Sequence, residues 1–154
     1  GTIPIAAEWA KTQFKSNVSR SRAYILALAA AAPRNLPNGM VVDVEHALSS
    51  YNKKEYHHVY PRAYLKALGE GETSNVLGNI IMLTAASNKT ISDNSPAKYI
   101  PAIVASLGKE CDAVFASNLL PLPSSFDYAK SSYGDFLAAR GPLLSKHVED
   151  LILT

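Results

Sequence analysis

The chain has 154 residues, of which 47% are hydrophobic and 18% are charged, with 8 Gly and 9 Pro. This composition is that of an ordinary globular protein, and it excludes collagen-like, low-complexity and disordered chains. No internal repeat or linker divides the sequence, so we expect one domain over residues 1–154. The lone cysteine, Cys111, excludes an internal disulfide and fits a reducing cytoplasm. The longest apolar run, residues 23–32, is shorter than the roughly 20 residues that span a bilayer, so we expect no membrane anchor.

Positive charge is unevenly distributed along the chain. The formal net charge is only +2, but residues 1–34 contain five basic residues and one acidic residue, and residues 51–66 contain four and one. Residues 109–154 contain four basic and six acidic residues. A basic first half can attract the phosphates of a nucleic acid. A solvated basic surface that binds nothing is the alternative.

The first predicted element is a helix over Ser19–Ala32, in which Ala, Leu, Ile and Tyr dominate and which Pro33 ends. Its apolar composition predicts burial on most of its sides. After a Pro/Asn/Gly turn, two possibilities stay open for residues 40–50. They are a short helix around Val44–Leu48 and a strand over Met40–Val44.

Two short strands are predicted in the middle of the chain. Tyr, His and Val favour a strand over Glu55–Tyr60, and Pro61, which lacks an N–H, marks its end. A run of apolar residues after an Asn/Gly turn favours a second strand over Asn79–Leu83.

Two helices are predicted to follow these strands. The segment Ala85–Ile91 has helical composition and a capping residue in Thr84. Ser95 and Pro96 form a favourable N-cap and first-position pair for a helix that runs to about Leu107.

The last part of the chain is predicted to be a Pro- and Ser-rich loop over residues 118–125 and a helical region over Tyr128–Ile152, broken near Gly141 and Pro142. The predicted fold class is therefore α+β and mainly α-helical, with helices around a small strand–strand–helix motif.

Histidine is the residue type that points most directly to chemistry. His46, His57 and His58 fall within 13 residues, and the last two are adjacent. Imidazole suits both metal ligation and proton transfer, because its pKa lies near neutral pH. We expect isolated histidines, His46 and His147, to be structural hydrogen-bonding residues, whereas a His-His pair at the end of a strand is unusual.

The residues that follow the pair extend it into a longer pattern. Its parts are His57–Pro61 (HHVYP), Gly78–Leu83 (GNIIML), Ser87–Ile91 (SNKTI), Pro96, Tyr99 and Asp135–Arg140 (DFLAAR). Their order and spacing resemble the His-Asn-His (HNH) nuclease motif, and most closely the HNH domain at the C-terminal end of GmrSD-type restriction and phage-defence proteins. The resemblance covers the chain from about Ser19 onward.

The resemblance implies a ββα-metal core over about residues 55–92, which would hold one divalent cation against a scissile phosphate. In this family pattern His58 is the general base, and His57 stands at the position of the first metal ligand. Asn79 stands at the position of the structural asparagine, whose amide can donate and accept hydrogen bonds and so pin the loop that presents the base. Asn88 stands at the position of the second metal ligand.

The resemblance also implies a metal ion and a nucleic-acid partner. The implied cofactor is Mg²⁺ or Mn²⁺, which stabilises the charge that develops during phosphodiester hydrolysis. The family pattern more often has Asp at the position of His57 and His at that of Asn88. A pair of neutral ligands should hold Mg²⁺ weakly, and imidazole also favours softer ions such as Ni²⁺ or Zn²⁺. The basic residues nearest in sequence are expected to contact DNA phosphates: Lys53, Lys54, Arg62 and Lys89.

The expected function is that of a metal-dependent DNA endonuclease that serves as the effector of a bacterial restriction or anti-phage system. In the family, an N-terminal nucleotide-hydrolysing sensor domain carries an Asp-Gly-Gln-Gln-Arg motif. That motif does not occur in this sequence. We therefore expect the chain to be the C-terminal fragment of a larger cytoplasmic protein, with the sensor domain as its partner.

Two other interpretations stay open. The chain could be a catalytically weak module that binds DNA or a protein, although such a module has no need for the His58, Asn79 and Asn88 set. A structural zinc site of the three clustered histidines and Cys111 is disfavoured, because their spacing matches no compact zinc pattern. Strand geometry raises one objection to the nuclease hypothesis: neighbouring residues of a regular strand point to opposite faces, so His57 and His58 can act together only if the strand bends.

Overall fold

A computed structural model describes residues 6–15, 18–49 and 56–153. In these ranges the chain is mainly helical with one small antiparallel sheet, which confirms the predicted α+β class. The elements are α1 (Ala6–Ala10), α2 (Ser19–Ala30), α3 (Val44–Ser49), β1 (Tyr56–His58), α4 (Arg62–Ala67), β2 (Ile80–Met82), α5 (Ala85–Ile91), α6 (Pro96–Leu107), α7 (Cys111–Ser117) and α8 (Tyr133–Leu153). Short 3-10 turns lie at Gly71–Thr73, Leu77–Asn79 and Gly108–Glu110.

Helix α2 confirms the first predicted helix but ends two residues earlier. Ala32, the residue before Pro33, has a positive φ of 53°, which a right-handed helix does not allow. The expectation that α2 is buried on most sides is wrong. One face, which includes Tyr24, is buried, whereas Leu26 is 58% exposed. The many alanines made the sequence look apolar all round without requiring burial.

Residues 44–49 form helix α3, which decides between the two possibilities left open for this segment. The Asp43 side chain accepts a hydrogen bond from the backbone N–H of His46 at 3.1 Å and so caps the first turn. The next residues, 50–55, lie outside the described ranges. The predicted phosphate contacts Lys53 and Lys54 are therefore also outside them.

Strands β1 and β2 are antiparallel, with Tyr56 opposite Met82, His57 opposite Ile81 and His58 opposite Ile80. Both strands are shorter in the structure than the sequence predicts. All three residues of β2 are buried. The two faces of β2 contribute to different clusters of the core, which explains why its sequence is continuously apolar rather than alternating.

Helices α5 and α6 have the predicted bounds. Thr84 caps α5, since its hydroxyl accepts a hydrogen bond from the backbone N–H of Ser87 at 3.3 Å. Pro96 occupies the first turn of α6, although the side chain of Ser95 makes no capping bond. Strand, strand and helix thus follow one another in the predicted order, with α4 and two 3-10 turns between the strands.

The predicted break in the last helix is wrong. Helix α8 runs without interruption through Gly141 and Pro142, and it starts at Tyr133 rather than at Tyr128. A proline removes one backbone donor, and a long helix that is packed on both sides of it tolerates that loss. The buried residues of α8 lie on both sides of the proline, including Phe136 and Leu144.

Helices α1 and α8 enclose the 3-10 turn at Leu77–Asn79. A Cβ atom added to Gly78 would lie 2.7 Å from the backbone oxygen of Ala10 and 2.9 Å from a methyl carbon of Leu137. Glycine is therefore required at position 78 by close approach, and this packing fixes the turn that leads into β2.

Candidate active site

The centre of the candidate site is the end of β1. His58 is the last residue of the strand, and it is half-buried. The chain then passes through Val59 and Tyr60 to Pro61, where α4 begins. The backbone N–H of Val59 donates a hydrogen bond of 2.9 Å to the carbonyl of Asn79. The Asn79 turn thus lies beside the loop that leaves His58.

Asn79 is completely buried, and its side chain makes three hydrogen bonds. The amide oxygen accepts from the backbone N–H of Tyr60 at 2.8 Å. The amide nitrogen donates to the carbonyls of Tyr60 and Ser74, both at 2.9 Å. The Asn79 side chain therefore connects the loop after His58 to the turn before β2. It does so because its amide both accepts and donates hydrogen bonds.

Asn75 contacts His58 directly and was not singled out in the sequence. Its side-chain oxygen lies 3.0 Å from Nε2 of His58, and its side-chain nitrogen donates to the carbonyl of Phe14 at 3.1 Å. Because a carbonyl can only accept, the bond to Phe14 fixes which end of the amide faces His58. Nε2 must therefore carry the hydrogen, and in the neutral ring Nδ1 is the nitrogen without a proton.

The surroundings of His58 favour the neutral ring. Burial lowers the pKa of the His58 imidazole, and the positive charge of Arg62 lowers this pKa further, whereas the hydrogen bond with Asn75 raises it in part. The direction is downward from the ordinary value for histidine. At neutral pH the ring is therefore uncharged, with a lone pair available on Nδ1.

His57 is the middle residue of β1 and is half-buried. It stands opposite Ile81, and Ile81 belongs to the same core cluster as Ile91 of α5. Asn88 is half-buried and lies one turn before Ile91 on this helix. Each predicted metal ligand thus neighbours a residue of one core cluster, His57 beside Ile81 and Asn88 beside Ile91.

The register carries His57 and His58 to opposite faces, as the geometric objection anticipated. His58 pairs with Ile80, whose side chain belongs to the second core cluster. The strand ends at His58, and the chain bends directly afterwards at Val59 and Tyr60. Any group that contacts both histidines has to lie across this strand end rather than on one face of the sheet.

Two of the predicted phosphate contacts are described, and both are exposed. Arg62 is the first residue of α4, and its positive charge contributes to lowering the pKa of His58. Lys89 follows Asn88 on α5. A shallow depression beside Arg62 is also lined by Lys66, one turn further along α4, and by two acidic residues, Glu72 and Asp93. The charge around this depression is therefore mixed rather than uniformly basic.

Arg140 of α8 is completely buried and contacts the backbone on both sides of Asn79. Its guanidinium donates to the carbonyls of Gly78 and Ile80, the residues on either side of Asn79, at 2.9 and 2.8 Å. It also donates to the Tyr24 hydroxyl at 2.8 Å, and that hydroxyl donates to the carbonyl of Ile80 at 2.7 Å. A buried cation on α8 thus holds the backbone around Asn79.

The described residues test the metal hypotheses only in part. No group of three or more His, Cys, Asp or Glu side chains in these ranges could hold a metal ion together. His46, His57, His58 and Cys111, whose spacing disfavours a zinc site, are therefore not brought together as one such group. An imidazole and an amide oxygen, from His57 and Asn88, fit a cation that keeps water and phosphate oxygens in its other positions.

Comparisons with known protein families, curated proteins and solved structures give no match to this chain. In the ranges that the structure describes, no helix combines the length and apolar character needed to cross a membrane. The functional interpretation therefore depends on the residues at the end of β1 and on their geometry.

Proposed function

We propose that this chain is a metal-dependent endonuclease of the HNH type that hydrolyses phosphodiester bonds of DNA. The observation that carries the proposal is the state of His58. This ring is half-buried, its Nε2 lies 3.0 Å from the side-chain oxygen of Asn75, and its Nδ1 is left to accept a proton. Burial lowers the pKa of the ring, which favours its neutral form. A general base needs such an arrangement at neutral pH.

In the proposed reaction, Nδ1 of His58 takes a proton from a water molecule as the water oxygen attacks the phosphorus. The bond between phosphorus and the leaving oxygen then breaks, and that oxygen is released as an alcohol after protonation. Asn79 holds the loop that carries the base, and Arg62 offers a positive charge to the phosphate. His57 and His58 lie on opposite faces of the strand, so the phosphate is proposed to lie across the strand end, where it can reach both.

The proposed ligands of the metal are His57 and Asn88. A divalent cation bound there would supply electrostatic stabilisation of the charged phosphate and of the leaving oxygen. Both ligands are neutral, so we expect the cation to bind weakly without DNA and more tightly when phosphate oxygens complete its coordination. Mg²⁺ and Mn²⁺ are the proposed cofactors.

DNA is the proposed substrate, and Lys89 is proposed to contact its phosphates together with Lys53 and Lys54. The resemblance to the GmrSD-type nuclease domain extends the proposal to a cytoplasmic effector of bacterial defence that works with a sensor domain. The competing hypothesis is a module that binds DNA or a protein without cutting.

The proposal is tested by incubating supercoiled plasmid with the purified chain in Mg²⁺, Mn²⁺ or EDTA, and by measuring nicked and linear products on a gel. Binding to a labelled duplex is measured in the same buffers. We expect nicking in Mg²⁺ or Mn²⁺ and none in EDTA. Binding without cleavage in every metal would instead support the binding module.

A further inference from the structure

The segment Thr12–Phe14 lies alongside the turn that carries Asn75. The carbonyl of Thr12 accepts from the backbone N–H of Leu77, and the backbone N–H of Phe14 donates to the carbonyl of Asn75, both at 2.7 Å. Between these two bonds, Gln13 and Val76 form an antiparallel bridge. The N-terminal segment is therefore paired to the turn over three consecutive residues.

Asn75 connects this segment to the candidate base. Its amide nitrogen donates to the carbonyl of Phe14, and its amide oxygen accepts from Nε2 of His58. The ring of Phe14 also packs near that of Tyr56 on β1, with centroids 6.2 Å apart. The segment thus contacts β1 through the ring of Phe14, and it is connected to His58 through the side-chain amide of Asn75.

We infer that Asn75 is a positioning residue that fixes the tautomer and orientation of His58, and that the segment Thr12–Phe14 belongs to the working active site because it holds Asn75. The inference rests on the proposed function. A histidine in water exchanges between two neutral tautomers, whereas a ring held at Nε2 by an acceptor keeps Nδ1 bare. Hydrogen-bond partners behind a reactive or ligating histidine typically contribute about 10- to 100-fold to activity or affinity.

The first test does not require activity. The histidine nitrogens of the whole chain are labelled with ¹⁵N, and the ring nitrogens of His58 are observed by NMR without metal at about pH 8, where histidine is neutral. We expect one tautomer, with hydrogen on Nε2. A hydrogen on Nδ1, or an averaged mixture of the two forms, would overturn the inference.

The second test uses Asn75→Leu, which keeps a similar volume but removes both hydrogen bonds, and Phe14→Ala, which loosens the segment. We expect Asn75→Leu to average the two tautomers and to lower the cleavage rate at saturating DNA by about 10- to 100-fold. We expect Phe14→Ala to lower this rate by a smaller factor. The DNA concentration for half-saturation should change less than about twofold, because neither side chain is proposed to touch DNA.

The matched control is Asn38→Ala, which removes an asparagine oxygen that bonds only locally, to the backbone of Met40. Its cleavage rate and His58 signals should match the wild type. A folded Asn75→Leu variant with an unchanged rate or an unchanged tautomer would overturn the inference. If the wild type itself does not cut DNA, the proposed function fails, and the tautomer measurement still decides whether Asn75 positions His58.

Discussion

Replacing Asn79 with alanine is the change whose cost follows most directly from the structure. The side chain is completely buried and makes three hydrogen bonds, two to the backbone of Tyr60 and one to the carbonyl of Ser74. Alanine satisfies none of them. The loop after His58 then loses its connection to the turn before β2.

The size of the effect can be worked out bond by bond. A buried hydrogen bond contributes about 1 kcal/mol net, and a buried group left without its partner costs about 1 to 3 kcal/mol. Three bonds at about 1 to 2 kcal/mol each give a loss of about 3 to 6 kcal/mol in the free energy of unfolding. Domains of this kind are stable by only about 5 to 15 kcal/mol, so Asn79→Ala should be strongly destabilised.

The assay is urea unfolding of Asn79→Ala followed by circular dichroism and by tyrosine fluorescence. Asn38→Ala serves as the control, because its exposed side chain makes one local bond and its loss should cost less than about 1 kcal/mol. If Asn79→Ala costs no more than this control, the three bonds do not hold the loop, and the account of how His58 is presented is refuted.

Three further changes test other parts of the structure. Burial raises the pKa of Tyr24 to about 12. The folded state keeps a proton on Tyr24 that the unfolded state releases, so this residue alone should lower stability by up to about 3 kcal/mol between pH 10 and 12. Urea unfolding of Tyr24→Phe should therefore show a smaller fall over this range than the wild type. Gly78→Ala forces a Cβ to within 2.7 Å of a backbone oxygen and should cost about 1 to 3 kcal/mol of stability, measured by thermal unfolding. The control Gly134→Ala, whose Cβ meets nothing closer than 3.8 Å, should be neutral or slightly stabilising. Equal effects of the two substitutions would contradict the close packing at Gly78. Lys89→Ala should weaken duplex binding and reduce the slope of log affinity against log salt by about 1, and a slope equal to that of Lys130→Ala would exclude Lys89 from the interface.

Elements with a local signal were predictable from the sequence. Thr84 and Pro96 mark where α5 and α6 begin, and both helices have the predicted bounds. Capping and the fixed φ of proline act within one turn, so a single sequence contains them. Asp43 caps α3 in the same local way, but it was not among the predicted caps, and the segment stayed open between helix and strand.

Features that depend on packing were not predictable in this way. Pro142 was expected to break a helix that packing keeps continuous. Helices α1, α4 and α7 are short, and their residues gave no periodic pattern long enough to recognise. A periodicity argument needs about three turns to separate a helix from a loop.

The residues of the candidate site show the same difference between local signals and long-range contacts. Residue type and adjacency made His57 and His58 stand out, whereas Asn79 and Asn88 were singled out only by the resemblance to the HNH pattern. Asn75 was taken as part of an Asn/Gly turn, because its contact with His58 joins residues 17 positions apart. Arg140 belonged to a predicted helix, but its bonds to Gly78 and Ile80 span 62 and 60 positions, which no local pattern reveals.

The central claim is that His58 is the base of a phosphodiesterase, and single-turnover cleavage at saturating enzyme tests it most directly. The wild type is compared with His58→Ala and with a matched control, His147→Ala, which removes a half-buried histidine bonded to the carbonyl of Ala27 on α2. The account predicts that His58→Ala binds the duplex as tightly as the wild type but does not cut it, while His147→Ala still cuts. Cleavage by His58→Ala at the wild-type rate, or an equal loss of binding and cleavage, would contradict it.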